Sequence, residues 1–407
     1  MRRWTAGALL LAVTAGAGCR ERADARPPLA VRDSAGVRIV EHRGSTATVP
    51  AWRVEPAPMV DLGGAGGGNG PALYRVAEVL RLDDGRIVVA NGGSSALEIF
   101  GANGAHLRSV GRAGDGPGEF RSLSWVGRVA GDTLAAWDSG LGRLSLFTPA
   151  GDYVRSVSAR GPLRMYPQAV GVLAGGGVVL ALHKPALGMS RTTDVHVQRD
   201  TVTYAALSAN GEMRDLASVP GTEMLVSGDP AGGLMVMPLP FGRQSAAAVA
   251  GDRVYVTDGE RYQVAAYDAV GRLRGILRSD RPRVPVTREA VEGYRRSLVT
   301  LGAEGNAALQ RQQAELLDKA PLPSHMPAIT GLRTDPGGSL WAESPVSGGD
   351  QPASEWRVFS PEGPVIASVR LPERLDLRQV GRDWVLGIDL DADQAEHVKV
   401  YRLVKPR

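Results

Sequence analysis

The chain has 407 residues, more than one ordinary domain, and its net charge of +4 comes from 47 basic residues interspersed with 43 acidic ones. With no basic run, a nucleic-acid surface is excluded, and a single cysteine excludes an intramolecular disulfide framework. Apolar residues reach 43% but aromatics only 5%, so small and β-branched side chains must fill the core; 52 glycines and 27 prolines suit many short strands joined by turns.

At the start, Met1–Arg3 give a short positive region and Ala6–Val13 an apolar stretch too short to span a bilayer. Small residues lead to Cys19, an order that resembles a bacterial lipoprotein signal, departing from it at Gly16, where that pattern prefers Leu. The resemblance implies a signal peptide over 1–18, a lipid on Cys19, a tether over 19–32 and, with Arg20 following, outer-membrane sorting. The Ala15-Gly16-Ala17 triplet also permits an ordinary secretory signal cut after Ala17.

From residue 33 onward the chain repeats. Arg86–Asn91, Phe100, Gly104 and His106–Val110 recur 47 residues later as Thr133–Asp138, Phe147, Gly151 and Tyr153–Val157. The pattern returns as Arg253–Asp258, Tyr267, Gly271 and Leu273–Leu277, and more weakly near 178–211, 340–363 and 384–403. Units of forty-odd residues with about four short strands each are propeller blades. The innermost strand of each is expected at Tyr74–Leu80, Leu123–Val129, Gln168–Leu173, Ala246–Val249, Ile329–Thr334 and Arg378–Val380. The fold class is therefore all-β: a six-bladed β-propeller of four-stranded antiparallel blades over 33–407, with a helical insertion at about 281–327 between blades 4 and 5. The last unit is one strand short, and Val37–Val40 is the strand expected to close the ring.

Asp33–Val40, the Leu82–Asn91 run and above all Val110-Gly-Arg-Ala-Gly-Asp-Gly-Pro-Gly-Glu-Phe120 resemble the bacterial six-bladed β-propeller lipoproteins related to NHL-repeat proteins. The resemblance implies a fold and a compartment, the cell envelope; it implies no activity, since propellers host many functions.

Motifs for chemistry are sparse. The six histidines show no metal-ligand spacing, no GxSxG elbow exists, and Gly63–Gly70 and Gly111–Gly118 fit neither a dinucleotide fingerprint nor a P-loop. Asp389-Leu-Asp391-Ala-Asp393 begins like a calcium loop but has Gln394 where the bend needs Gly and Val400 where a bidentate Glu belongs, so it reads as the polar tip of a hairpin. Asn91, Asp138 and Asp258 recur at strand ends, as loop-tying residues would. No cofactor, metal or catalytic residue is assigned, and Glu78 is nearly alone as an acid on the expected channel-lining strands.

Loop lengths are lopsided. The long segments, Gly111–Arg121, His183–Asp200, Asp280–Pro327 and Ser344–Ser354, all belong to one face of such a ring, the face propellers use for ligands. In the largest, Val291, Tyr294 and Leu298 fall at helical spacing, an apolar stripe expected over the channel entrance. The expected function is non-enzymatic binding of an envelope protein, peptide or glycan on that face by a monomer, with Arg121, Tyr166, Arg243 and His325 as ligand-binding candidates. The alternative is a propeller-type hydrolase or lyase, lactonase-like or esterase-like, acting at the channel mouth. An arginine-lined mouth would favour binding, and a cluster of acids and histidines would favour catalysis.

Overall fold

The computed structural model describes residues 28–43, 49–63, 70–161, 165–184, 195–228, 234–301, 307–346 and 353–406. Strands dominate and are arranged as successive antiparallel meanders. Val76–Arg81, Ile87–Asn91, Ala96–Phe100 and His106–Val110 pair in chain order, and Leu123–Arg128 through Tyr153–Ser158 repeat the plan. So do the meanders that begin at Met165–Val172, Ala246–Ala250, Gly331–Thr334 and Asp376–Val380. Their first strands touch in a closed cycle, each meeting the next and Asp376–Val380 meeting Val76–Arg81. That cycle is the central arrangement of a β-propeller.

The sequence explains why the sheets stack face to face. The second strand of a meander is covered on both sides, so Ile87–Asn91 and Leu134–Asp138 read as unbroken buried runs with no polar alternation. Separate cores fill the gaps between neighbouring meanders. One joins Val88, Leu97 and Val110 to Phe120, Leu134 and Phe147, and another joins Ile87, Val89 and Phe100 to Leu386, Val398 and Val400 across the seam where the chain's two ends meet.

A glycine turn recurs where each meander meets the rim strand of the one before it. Gly151 (φ +90°) would drive a Cβ to 2.6 Å from Val110, and Gly363 (φ +107°) to 2.7 Å from Val40. Both the left-handed backbone and the close approach require glycine here.

The ring closes through an N-terminal strand, but not the one expected. Val37–His42 forms a hairpin with Leu29–Ser34 and pairs parallel with Leu273–Ser279, so it lengthens the 246–279 meander from outside. The missing outer strand of the last meander is Ala51–Gly63, antiparallel to Glu396–Val404 from His397↔Gly63 to Val404↔Arg53. Length decides between them: the partner spans nine residues, Val37–His42 offers six and Ala51–Gly63 thirteen. Pro56 and Pro58 are tolerated because this is a rim strand with bulges on either side of Tyr401. The first residues of Ala51–Gly63 also pair parallel with Ser368–Arg370, so the closing strand stitches two meanders together. Strand structure starts at Leu29, inside the stretch assigned to the tether.

Two elements exceed the repeat. Met213–Gly228 runs for 16 residues and gains a partner, Leu234–Pro238, that the sequence did not reveal. The insertion carries helices Arg288–Leu301 and Ala307–Lys319, joined by an ion pair between Arg295 and Asp318.

Candidate functional site

The axis of the ring is lined by the first strands, and three charged side chains meet there. Glu78 comes from Val76–Arg81, Arg333 from Gly331–Thr334 and Arg378 from Asp376–Val380. Bulges recur in these strands, at Val76/Glu78, Leu123/Trp125, Ala169/Gly171 and Leu377/Gln379. Each re-aims the side chains that follow it. Arg378 is itself the extra residue of its bulge.

Its Nη1 stands 3.9 Å from Glu78 Oε2 and donates to the Ala77 carbonyl at 3.0 Å, while its Nη2 donates to Asp376 at 2.7 Å. Arg333 Nε donates to the Leu377 carbonyl at 2.8 Å. Glu78 is only a fifth exposed, and burial raises its pKa despite the pull of Arg378 and Arg333. The channel thus offers two guanidiniums with the Glu78 carboxyl between strands and Asp376 as a second carboxyl on Arg378. Among the described residues no three of His, Cys, Asp and Glu come together as a metal-binding group.

On the long-loop side a second charged group spans two meanders. Arg243 Nε donates to Glu223 Oε1 at 2.8 Å, its backbone N–H donates to Glu223 Oε2 at 2.7 Å, and its Nη1 lies 3.4 Å from Glu260. Arg199 adds bonds to the Gly221 carbonyl at 3.0 Å and to the Asp258 carbonyl. Burial alone would raise the pKa of Glu223, but the bonds from Arg243 overcome it and hold the carboxyl below its ordinary value. Sequence reasoning found Arg243 and missed its partners: Glu223 lies 20 residues before it on Met213–Gly228, and Glu260 lies in the turn after Arg253–Thr257, with no shared motif.

The described candidates each have their own local partners. Arg243 is spent on the brace just described. Arg121 pairs with Asp115, and its backbone N–H caps Asp138 at 2.7 Å. His325 Nδ1 lies 2.9 Å from the Ser324 hydroxyl, on a strap that bridges to Pro285. Tyr166 lies in Met165–Val172, and its side chain falls outside the described residues.

The strand-end residues are loop ties. Fully buried Asp138 accepts from the backbone N–H groups of Ser122, Gly140 and Leu141 as well as Arg121, while Asn91 Oδ1 accepts from the Tyr74 N–H and its Nδ2 donates to the Ala72 carbonyl. The glycine-rich loop before Arg121 is likewise folded onto itself: Phe120 is fully buried, and Arg143 reaches the carbonyls of Asp115, Gly116 and Glu119, each at 2.9 Å. At the other hairpin tip, Asp391 Oδ1 accepts from Asp393 and Ala395 backbone N–H groups, an Asx turn.

The long-loop face owes its relief to the insertion. Leu316 packs with Leu225 and Leu239, joined by Met235 and Met237, so the second helix is seated on the 213–238 hairpin. Tyr294 of the first helix meets Phe241 at 5.7 Å. Of the stripe expected over the channel entrance, Leu298 has its side chain outside the described residues. The middle of the His183–Asp200 segment, residues 185–194, and residues 347–352 of Ser344–Ser354 lie outside the described residues, while 196–200 continue a strand.

No family model and no curated protein matches the chain. Solved structures do. A Bacteroides fragilis protein described as exported aligns over 90% of this chain and 100% of its own at 10% identity and a TM-score of 0.45. A member of the DUF4221 family from Bacteroides vulgatus covers 87% of this chain and 99% of its own at 11% identity and 0.47. Virginiamycin B lyase from Staphylococcus aureus covers 85% and 99% at 8% identity and 0.40. Likeness at this level assigns neither activity nor ligand. Among the described residues, no helix is long and apolar enough to cross a membrane.

Proposed function

We propose that the chain is a six-bladed propeller lipoprotein of the cell envelope, anchored through Cys19, that binds a protein, peptide or glycan on its long-loop face without catalysing a reaction. The observation that supports this reading is the seat of the insertion. The second helix seated on the 213–238 hairpin and the first against Phe241 give that face a raised wall, whereas the opposite turns, such as 82–86 and 148–152, are tight. Relief on one side only is what a recognition surface needs and what a mere scaffold does not.

The test is capture from the native envelope, comparing the full protein with a variant whose residues 285–322 are replaced by a Gly/Ser linker. No propeller strand is removed, so the ring should stay folded while the captured partner is lost. Equal capture by both, with loss on substituting Asp84 and Asp152 in the opposite turns, assigns binding to the wrong face. Mass spectrometry of the mature N-terminus checks the anchor: an unmodified start at Gly18 rejects it.

One observation favours the runner-up, a propeller-type hydrolase or lyase. Glu78 combines a raised pKa with two arginines at the ring axis, a combination found at proton-transfer sites. If hydrolysis or elimination is detected with any lactone or ester panel, Glu78→Gln should abolish it; activity that survives that change is not channel chemistry.

A further inference from the structure

Four buried side-chain polar atoms meet at one seam: Arg281 Nη1 and Arg357 Nε have no hydrogen-bond partner, and the Ser344 and Tyr262 hydroxyls have no partner beyond each other. The seam lies between the 246–279 and 331–370 meanders on the long-loop side. Ser344 and Glu355 are cross-strand partners, with Arg357 on the same face two residues on, while Tyr262 and Arg281 reach in from the preceding meander and its connector.

Charge does not balance here. Arg281 Nη2 donates to Glu355 Oε2 at 2.9 Å, and Arg357 Nε stands 3.7 Å from that same oxygen. Two guanidiniums therefore share one carboxylate, leaving one positive charge. The other neighbour, His42, is no counter-charge: burial holds its pKa below the ordinary value, and its Nε2 is 2.9 Å from the Gly363 carbonyl. Burial, then the charge of Arg281, also pushes the pKa of Arg357 down, as crowding of like charges would. An orphaned buried donor is destabilising, and an uncompensated buried charge more so. The three charged side chains are 16–20% exposed, so the seam opens to solvent through a narrow gap.

We infer that this seam is a binding site for a small monoanion, a halide or the carboxylate of a small acid, held by Arg281 Nη1, Arg357 Nε and the Ser344 and Tyr262 hydroxyls. One negative charge balances the surplus, and an acceptor with no hydrogen of its own takes the two guanidinium donors and the O–H that the hydroxyl pair leaves free. A dianion would overcompensate. The inference does not rest on the proposed partner binding, because its ligand is a small ion and none of its residues lies in the 285–322 segment whose replacement tests that binding.

Two measurements on the mature protein test it. In crystals soaked in sodium bromide, an anomalous peak should lie between Arg281 and Arg357. In melts at fixed ionic strength, bromide or acetate should raise the Tm saturably by a few degrees beyond sulfate. Bromide and acetate titrations separate a free halide from a carboxylate ligand. Arg357→Met should erase the saturable part, and Ser344→Ala, a smaller change in case the first fails to fold, should move its midpoint several-fold higher. Identical melts in all three salts with no bromide peak overturn the site, as does a Ser344→Ala variant with an unmoved midpoint.

Discussion

Leu29–His42 and Ala51–Gly63 both lay strand along the rim of the ring, and the difference between them is what the neighbour already has. Leu273–Ser279 is the last strand of a finished four-stranded meander, so the hairpin adds to a sheet that could stand without it. Glu396–Val404 is the third strand of a meander with no fourth, so Ala51–Gly63 supplies what the chain order lacks. Burial follows suit. The hairpin buries Ile39, Val40 and His42, whereas the closing strand puts Leu62 into the core that spans the seam, with Val60 packed against it. Pairing an edge is a matter of geometry; closing a ring couples every meander to the others.

The largest expected effect breaks the closure. Val60→Asp with Leu62→Asp places two carboxylates against an apolar core and should cost more than about 4 kcal/mol, enough to lose cooperative unfolding by urea. An unchanged urea midpoint would mean that the seam does not hold the ring. Removing residues 28–43 should cost less, about 3 kcal/mol for the lost apolar burial, and should leave the far-UV spectrum of a folded ring. The uncovered edge at Leu273–Ser279 should then show as self-association in light scattering; a monomer with an unchanged Tm would make the hairpin ornamental.

Gly363→Ala sharpens the contrast. With the hairpin present, it meets Val40 and a strained backbone and should cost about 2–3 kcal/mol; without the hairpin, only the left-handed φ remains, about 1 kcal/mol. Equal costs in both backgrounds would show that the hairpin does not press on that turn.

The smallest effect is pH-dependent. His397 Nδ1 is 2.7 Å from Asp61 on the closing strand, and its Nε2 is 3.2 Å from Asp391. Burial would lower its pKa, but these two carboxylates outweigh burial and raise it. A raised histidine contributes stability that is fully present below the unfolded value of about 6.5 and is lost as pH rises through the folded one. Asp391, held low chiefly by the Ala395 N–H, works in the opposite sense and is lost in acid. His397→Gln should therefore cost most between about pH 4.5 and 6.5, less than about 1 kcal/mol given the exposure of Asp61, and least in alkali. A cost that grows with pH contradicts the clasp.

Local signals told what the strands are, and partners had to come from the fold. The 86–110 and 133–157 repeats were readable because the strand-end Asn or Asp, the aromatic residue and the turn glycine recur at one spacing. Val37–Val40 is a strand as expected, yet nothing in four residues names a partner more than 200 positions away. Ala51–Gly63 was hidden by Pro56 and Pro58, which break the alternation that marks a strand and are harmless only at a rim. The candidate residues show the same limit. Position put Arg121, Arg243 and His325 ahead of first strands, where they are, but their engagement depends on Asp115, Glu223 and Ser324. The monoanion seam draws on four separate stretches and has no linear signature.

The seam between Ala51–Gly63 and Glu396–Val404 also sets a clock. Its partners are separated by more than 330 residues, and at a synthesis rate of about 5–20 residues per second the first strand waits roughly 20–70 s for the last to exist. Throughout that time, and through any passage across a membrane that follows, Ala51–Gly63 is an unpaired edge. The residues that disguise it in the sequence then act as guards: Pro56 and Pro58 withhold two backbone donors, and Glu55 and Asp61 place charge along the edge, so a neighbouring nascent chain finds little to pair with.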